Sequence, residues 1–427
     1  MISHLQLSNI GPAPNFTLDF GKRLNLLTGD NGLGKSFILD VTWWALTRKW
    51  PAEINPQLTA GKMARPMGPG PAKIKFTFKG KVKNKETYES TFLKQDQAWT
   101  GRPGRPTNPG LVLYAMADGS IAVWDPHRNY WRTKNKIDVQ ERIPAYVFSP
   151  SDIWDGQMGP GQTWICNGLI RDWASWQKEN GTPFDHLKEI LKILSPSGEE
   201  VLLPGPLTRI SLDDSRDMPT LTMPYNQDVP VVHASAGMRR VLALAYVLVW
   251  AWEEHKHAAR QLGESETQQI TFLIDEVESH LHPSWQRRIV PSLLHVMDAL
   301  SENAAVQLIA ATHSPLIMAS VEPTFDSEKD AWFDFDFENK TVVLRKRPYE
   351  KHGDAGTWLV SEAFDLKSGR SIEYEELITE ASALLGDESP SQTKVREMNQ
   401  KLISALSPKD DFLFRWRSLC DHKGLLP

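Results

Sequence analysis

Residues 29–36 read Gly-Asp-Asn-Gly-Leu-Gly-Lys-Ser, and this stretch constrains the fold more than any other. Three glycines within six positions let the backbone turn through left-handed conformations that a Cβ disfavours. Before the loop, Leu24-Asn25-Leu26-Leu27-Thr28 is a short apolar strand. After it, Phe37, Ile38, Val41, Trp44 and Ala45 recur at helical spacing up to Leu46. A glycine loop between a strand and a helix turns its N–H groups inward, next to the positive end of the helix dipole. That geometry suits phosphate.

The loop matches Gly-x-x-x-x-Gly-Lys-Ser, the Walker A pattern, in full. Its expected nucleotide-binding set is Gly29, Asp30, Asn31, Gly32, Leu33, Gly34, Lys35 and Ser36. Lys35 is expected to reach the β- and γ-phosphates, and the Ser36 hydroxyl to ligate Mg²⁺. ATP and Mg²⁺ are therefore the expected cofactors. A second element, Thr271-Phe272-Leu273-Ile274-Asp275-Glu276, is a strand ending in two acids. This is a Walker B arrangement, with Asp275 on Mg²⁺ and Glu276 polarising the attacking water.

Ala234-Ser235-Ala236-Gly237-Met238-Arg239-Arg240 lies about 40 residues before these acids and opens a long apolar helix. It resembles the signature motif of ATP-binding-cassette (ABC) ATPases, Leu-Ser-x-Gly-x-x-Arg, with Ala234 in place of leucine. In that family the signature serine and glycine contact the γ-phosphate held by the opposing subunit. The resemblance thus implies nucleotide contacts for Ser235 and Gly237 across a dimer. Glu278-Ser279-His280-Leu281-His282-Pro283 stands where such ATPases carry a D-loop, and Thr312-His313-Ser314-Pro315 where they carry the switch histidine. His313 would then sense the γ-phosphate and join Glu276 as a catalytic residue.

The full set resembles the branch containing RecF, structural-maintenance-of-chromosomes heads and overcoming-lysogenization-defect (OLD) nucleases. Leu-His-Pro after the acids and Thr-His-Ser-Pro are most similar to OLD-like and Septu- or retron-associated ATPases of bacterial anti-phage systems. The core motifs cover residues 1–50 and 230–320. Gln140 and Gln157 are the candidates for the Q-loop glutamine. No heptad arm separates Walker A from the signature, and no toprim-like nuclease module follows His313. The resemblance implies an ATP-dependent dimeric clamp or sensor that controls a separate effector, a nuclease or toxin. Two alternatives stand beside it: a RecF-like DNA-repair ATPase acting on DNA directly, and an OLD-like nuclease with an unrecognised site.

Composition narrows the partners. A net charge of −5 over 427 residues excludes a molecule that binds nucleic acid by charge alone. Between Ala60 and Pro106, however, eleven Lys/Arg face three Asp/Glu. Lys73, Lys75, Lys79, Lys81, Lys83 and Lys85 alternate there with Phe76 and Phe78. Such a stretch can track a phosphate backbone, or it can be a solvated sheet edge protected by lysines. Asp334-x-Asp336 could mimic a metal pair, and a solvated strand face is the simpler reading. His280-x-His282 has no third ligand at a supporting spacing.

Two cysteines, Cys166 and Cys420, no basic leader and a longest apolar run of twelve residues (Val241–Trp252) fit a cytoplasmic protein outside the membrane. Most of the sixteen tryptophans are expected to pack in the core or at partner contacts.

The expected fold is α/β: an ABC ATPase head with a mixed central sheet, over residues 1–345. Residues 51–145 would be an antiparallel β insertion and 150–240 a helical lobe ending in the signature. Residues 346–427 would be a C-terminal helical module, with helices from Ser371 to Leu385 and from Lys394 to Leu406. Ser284–Leu300 is expected as one helix.

Overall fold

The computed structural model describes residues 1–79, 85–101, 108–129, 133–134, 137–138, 143–300, 304–386 and 390–425. The chain forms two compact units, Met1–Ala355 and Gly356–Pro427.

In the first unit, strands β1 (Ile2–Ser8), β2 (Asn15–Asp19), β4 (Lys73–Lys79), β5 (Lys85–Leu93) and β6 (Ala98–Trp99) make an antiparallel sheet in the order β2-β1-β4-β5-β6. A second sheet holds β3 (Leu24–Gly29), β7 (Leu111–Ala115), β8 (Ile121–Trp124), β9 (Tyr146–Phe148), β10 (Gln269–Ile274), β11 (Ala305–Ala311), β12 (Ala331–Glu338) and β13 (Thr341–Arg347). Its order is β9-β8-β7-β10-β11-β3-β12-β13. The five middle strands, β7-β10-β11-β3-β12, run parallel, and antiparallel strands flank them on both sides. This is a mixed α/β architecture. Strand β7, Leu-Val-Leu-Tyr-Ala, is apolar and buried throughout, as a parallel sheet covered on both faces requires.

Helix α1 (Lys35–Thr47) starts directly after the glycine loop and packs on β1 as well as on β3, β7, β10 and β11. It is therefore buried on every side, with Ile38, Leu39, Val41, Trp43 and Trp44 all in one core. That core fixes the loop from behind.

The lobe that precedes the signature contains α2 (Leu169–Glu179), α3 (Thr182–Ile193) and a three-stranded sheet of Leu203–Pro204, Thr220–Thr222 and Asp228–Pro230. Helix α4 (Ala236–Leu262) follows, capped by Ser235, whose hydroxyl accepts the Met238 N–H, and closed by Gly263 at φ 64°.

The helix expected over Ser284–Leu300 is broken. Pro283–Gln286 is one turn, and α5 (Ile289–Leu300) begins after Arg287 and Arg288. Pro291 explains the break: it fits only a first turn, where its missing N–H has no partner to lose. Most tryptophans are buried, while Trp164 is 51% exposed.

The second unit holds α6 (Ile372–Gly386), α7 (Gln392–Ala405) and a third helix, α8 (Asp411–His422), which was not anticipated. Ala381, Val395, Met398, Leu402, Leu413, Trp416 and Cys420 form its own core. Asp410 caps α8 through the Phe412 N–H and receives Arg370 on both oxygens. Among the described residues, no helix is long and apolar enough to cross a membrane.

Candidate nucleotide site

The glycine loop needs its glycines for two different reasons. Gly29, Gly32 and Gly34 all have positive φ, at 121°, 80° and 106°. A Cβ on Gly29 would lie 2.0 Å from the Phe335 carbonyl oxygen of the neighbouring strand, whereas one on Gly32 would meet open space. Close packing decides the first position and backbone conformation the second.

Lys35 opens α1 and folds back into the loop. Its Nζ donates to the carbonyls of Gly29 and Asp30, each at 2.7 Å. Burial pushes its ammonium down to about 8, against the pull of Asp275, Asp30, Glu278 and Glu276. Lys35 thus places a buried positive charge inside the glycine loop, with the neighbouring carboxylates partly offsetting it. Ser36 is exposed and stands near Asp275, whose charged form it favours.

Asp275 ends β10, buried at 3% exposure. Burial and the neighbouring Glu276 raise its pKa, while Ser36 and Lys35 oppose the shift. Glu276 follows at φ 46°, left-handed for a residue with a side chain. Such conformations persist where surrounding contacts overdetermine the backbone. His313 follows β11 and stands near Lys35 and the Gly29 backbone. Its pKa is lowered by burial and by Lys35, against Glu276 and Asp30. Two adjacent parallel strands and the P-loop thus bring Lys35, Ser36, Asp275, Glu276 and His313 together.

Ser235 and Gly237 join this cluster differently. Ser235 is exposed at the cap of α4, and Gly237 is packed so that a Cβ would lie 2.5 Å from the His280 carbonyl oxygen. Within one protomer their contacts are to Met238 and to the segment after the acids, not to the P-loop.

Several groups at the site escaped the sequence. Glu278 accepts from Thr312 and from the His313 backbone. Tyr114 donates to Asp40 at 2.9 Å, and burial pushes the Asp40 carboxyl up to about 7. Arg240 donates to backbone carbonyls at the end of β10. Nothing local signals these contacts, although Asp40 lies one turn beyond Ser36 on α1.

Other expectations are revised. Asp334 is not on a solvated face: it is 2% exposed and binds Thr28 and, through both Nε and Nη2, Arg347. Asp336 pairs with Arg345. The next strand supplies both arginines, so the Asp-x-Asp spacing is an ion-pair ladder. His282 caps the turn Pro283–Gln286, and among the described residues no group of three potential ligands could hold a metal. Gln157 donates to the Val147 carbonyl, and Gln140 lies outside the described residues. Lys73 is paired with Glu89, Lys75 is exposed, and Lys81 and Lys83 lie outside the described residues.

With this geometry in place, comparisons identify relatives. The family model described as "AAA domain, putative AbiEii toxin, Type IV TA system" matches residues 24–319. A Septu protein PtuA of Bacillus thuringiensis is 23% identical over 420 residues, covering 96% of this chain and 95% of that relative. The "Retron Ec83 probable ATPase" of Escherichia coli is 27% identical over 142 residues, 33% of this chain and 23% of the relative. Among solved structures, an Smc head bound to the C-winged helix domain of ScpA is 15% identical, covers 82% of this chain and 98% of that one, and gives a TM-score of 0.43. The recombination mediator protein RecF covers 81% and 98%, with 14% identity and a TM-score of 0.37.

Proposed function

This chain belongs to the AAA-domain family whose model spans residues 24–319, and from that premise we propose that it hydrolyses ATP as a dimeric clamp in anti-phage defence and controls a separate effector. One observation carries the reading: Lys35, Ser36, Asp275, Glu276 and His313 converge around one glycine loop. The similarity to a Septu protein over 96% of the chain supports the defence role.

The residues suit a magnesium nucleotide. The donor set of a hydroxyl and a carboxylate, Ser36 and Asp275, is the hard oxygen pair that Mg²⁺ takes while keeping waters and phosphate oxygens. The glycine loop is a cradle that a Cβ at Gly29 would fill. Held by Ser36 and Asp275, Mg²⁺ would supply positive charge against the phosphates. The remaining work falls to the chain. Lys35 exchanges the Gly29 and Asp30 carbonyls for phosphate oxygens. Glu276 orients a water and accepts its proton. His313, held near neutral charge by burial, donates a hydrogen bond at the γ-position.

Ser235 stands exposed at the start of α4, where free N–H groups and the helix dipole favour an anion. In the proposed dimer that end closes the nucleotide of the second copy. Phosphate release by the purified chain tests the reading: Lys35→Ala is expected to lose nucleotide binding, and Glu276→Gln to retain it while losing turnover. Turnover by Glu276→Gln at the wild-type rate would contradict the role given to Glu276.

A further inference from the structure

The backbone at the end of β10 is held from two directions. Its N–H groups are taken by neighbouring strands, with Asp275 N–H on the Ala115 carbonyl at 2.9 Å and Val277 N–H on the Ala311 carbonyl at 3.2 Å. Its carbonyls also receive one side chain, the Glu276 oxygen in addition to the Ser279 N–H at 2.8 Å. Arg240 Nη2 donates to the Asp275 oxygen at 3.0 Å and the Glu276 oxygen at 3.3 Å, and Nη1 to the Ala117 oxygen at 3.3 Å. The middle residue of this corner, Glu276, is the one at φ 46°.

A guanidinium is a planar fork, so a set of fixed carbonyls determines where it sits and the guanidinium in turn determines them. Three carbonyls converge on Arg240 from two loops. Glu276, Asp275, Glu278 and Asp118 all favour its charge against the cost of burial. Arg240 lies little more than one turn into α4, whose first turn carries Ser235 and Gly237. Gly237 is pressed on the His280 carbonyl so closely that a Cβ would lie 2.5 Å away. The start of α4 is thus fastened at two points to residues 275–280.

We propose that Arg240 is a positioning residue that aims Glu276, and that through α4 it couples each protomer's own acidic corner to the Ser235 end it lends to the second copy. The second half rests on the composite-site reading above. A shift of the corner on nucleotide binding pulls the helix start, and docking of the helix start on the second copy sets the corner. The two sites then fire cooperatively.

The experiment uses the full chain as wild type, Arg240→Lys and Arg240→Ala. It measures affinity for a fluorescent ATP analogue, kcat, the Hill coefficient and amide exchange over residues 275–281. In Arg240→Ala, affinity should stay within about threefold, because the P-loop is untouched, while kcat falls about 100-fold, the scale of a misplaced catalytic group. The Hill coefficient should drop to one and exchange over 275–281 should rise. Lys, which reaches one carbonyl but cannot bridge three, should restore part of kcat. A purely structural role would lower melting temperature and leave kcat per folded molecule unchanged. A folded Arg240→Ala with wild-type kcat and wild-type exchange overturns the proposal. A wild type that hydrolyses ATP as a monomer instead overturns the composite site and the coupling, and kcat in Arg240→Ala then decides the aiming of Glu276. In a chain without turnover, unchanged exchange over 275–281 overturns that aiming.

Discussion

Glu278 holds the backbone of His313: its Oε1 accepts the His313 N–H at 2.5 Å while its Oε2 accepts the Thr312 hydroxyl at 2.8 Å. The acid three residues after Asp275 therefore sets the loop after the next strand. Glu278→Ala leaves the partly buried His313 N–H without its acceptor, at about 1–3 kcal/mol, and the Thr312 hydroxyl with only the Ser314 N–H it accepts. The expected outcome is a clear loss of melting temperature and a fall in kcat with ATP affinity nearly unchanged. Glu278→Gln keeps an acceptor and should recover part of both. Equal activity in Glu278→Ala and wild type would show that the His313 loop needs no such anchor.

Asp40 gives a pH prediction with a definite sign. Burial pushes its carboxyl up to about 7, from 3.8, with only partial relief from the Tyr114 hydroxyl and added repulsion from Asp275. The folded state thus binds the proton more tightly than the unfolded chain. Its stabilising contribution is complete below pH 3.8 and is lost as pH rises through about 7. Asp40→Asn keeps the acceptor for Tyr114 without the charge. Thermal unfolding should show the variant more stable than wild type at pH 8 and indistinguishable from it at pH 4. A difference that does not change with pH would contradict this assignment.

The loop glycines should separate in a stability assay. Gly32→Ala has room for its methyl and meets only the left-handed penalty of about 1 kcal/mol. Gly29→Ala drives its methyl into the Phe335 carbonyl at 2.0 Å and must displace β12 or the loop. Circular dichroism melts are expected to show a small shift for the first and a large one, or loss of folded protein, for the second.

Asp334 should behave as a structural anion. Arg347→Ala strips a buried carboxylate of its cation, which typically costs about 3–5 kcal/mol. Asp334→Ala combined with Arg347→Ala is expected to be more stable than Arg347→Ala alone, as measured by denaturant midpoint. The order of those two midpoints is the check.

Much of the fold could be read along the chain because its signals are local. The glycines of residues 29–34 announce left-handed backbone, and the apolar runs Leu24–Thr28 and Thr271–Ile274 announce strands, whose parallel pairing with Ala305–Ala311 only the structure shows. What escaped depends on residues far apart in sequence. Arg240 meets Asp275 and Ala117 only when the start of α4 comes to the end of β10, and Tyr114 meets Asp40 only when α1 lies against β7. Asp334 looks solvated by its spacing because the arginines that pair it and Asp336 come from the following strand. The break before α5 was visible in Pro291, but the apolar periodicity around it masked that signal.

In the dimer we propose, one protomer holds half of each nucleotide site. The most direct measurement is the mass in solution of Glu276→Gln, by light scattering, without nucleotide and with ATP and Mg²⁺. The account predicts a protomer mass without nucleotide and twice that mass with ATP, reverting when Lys35→Ala is added. A single unchanged protomer mass, in a variant shown to bind ATP, would contradict it.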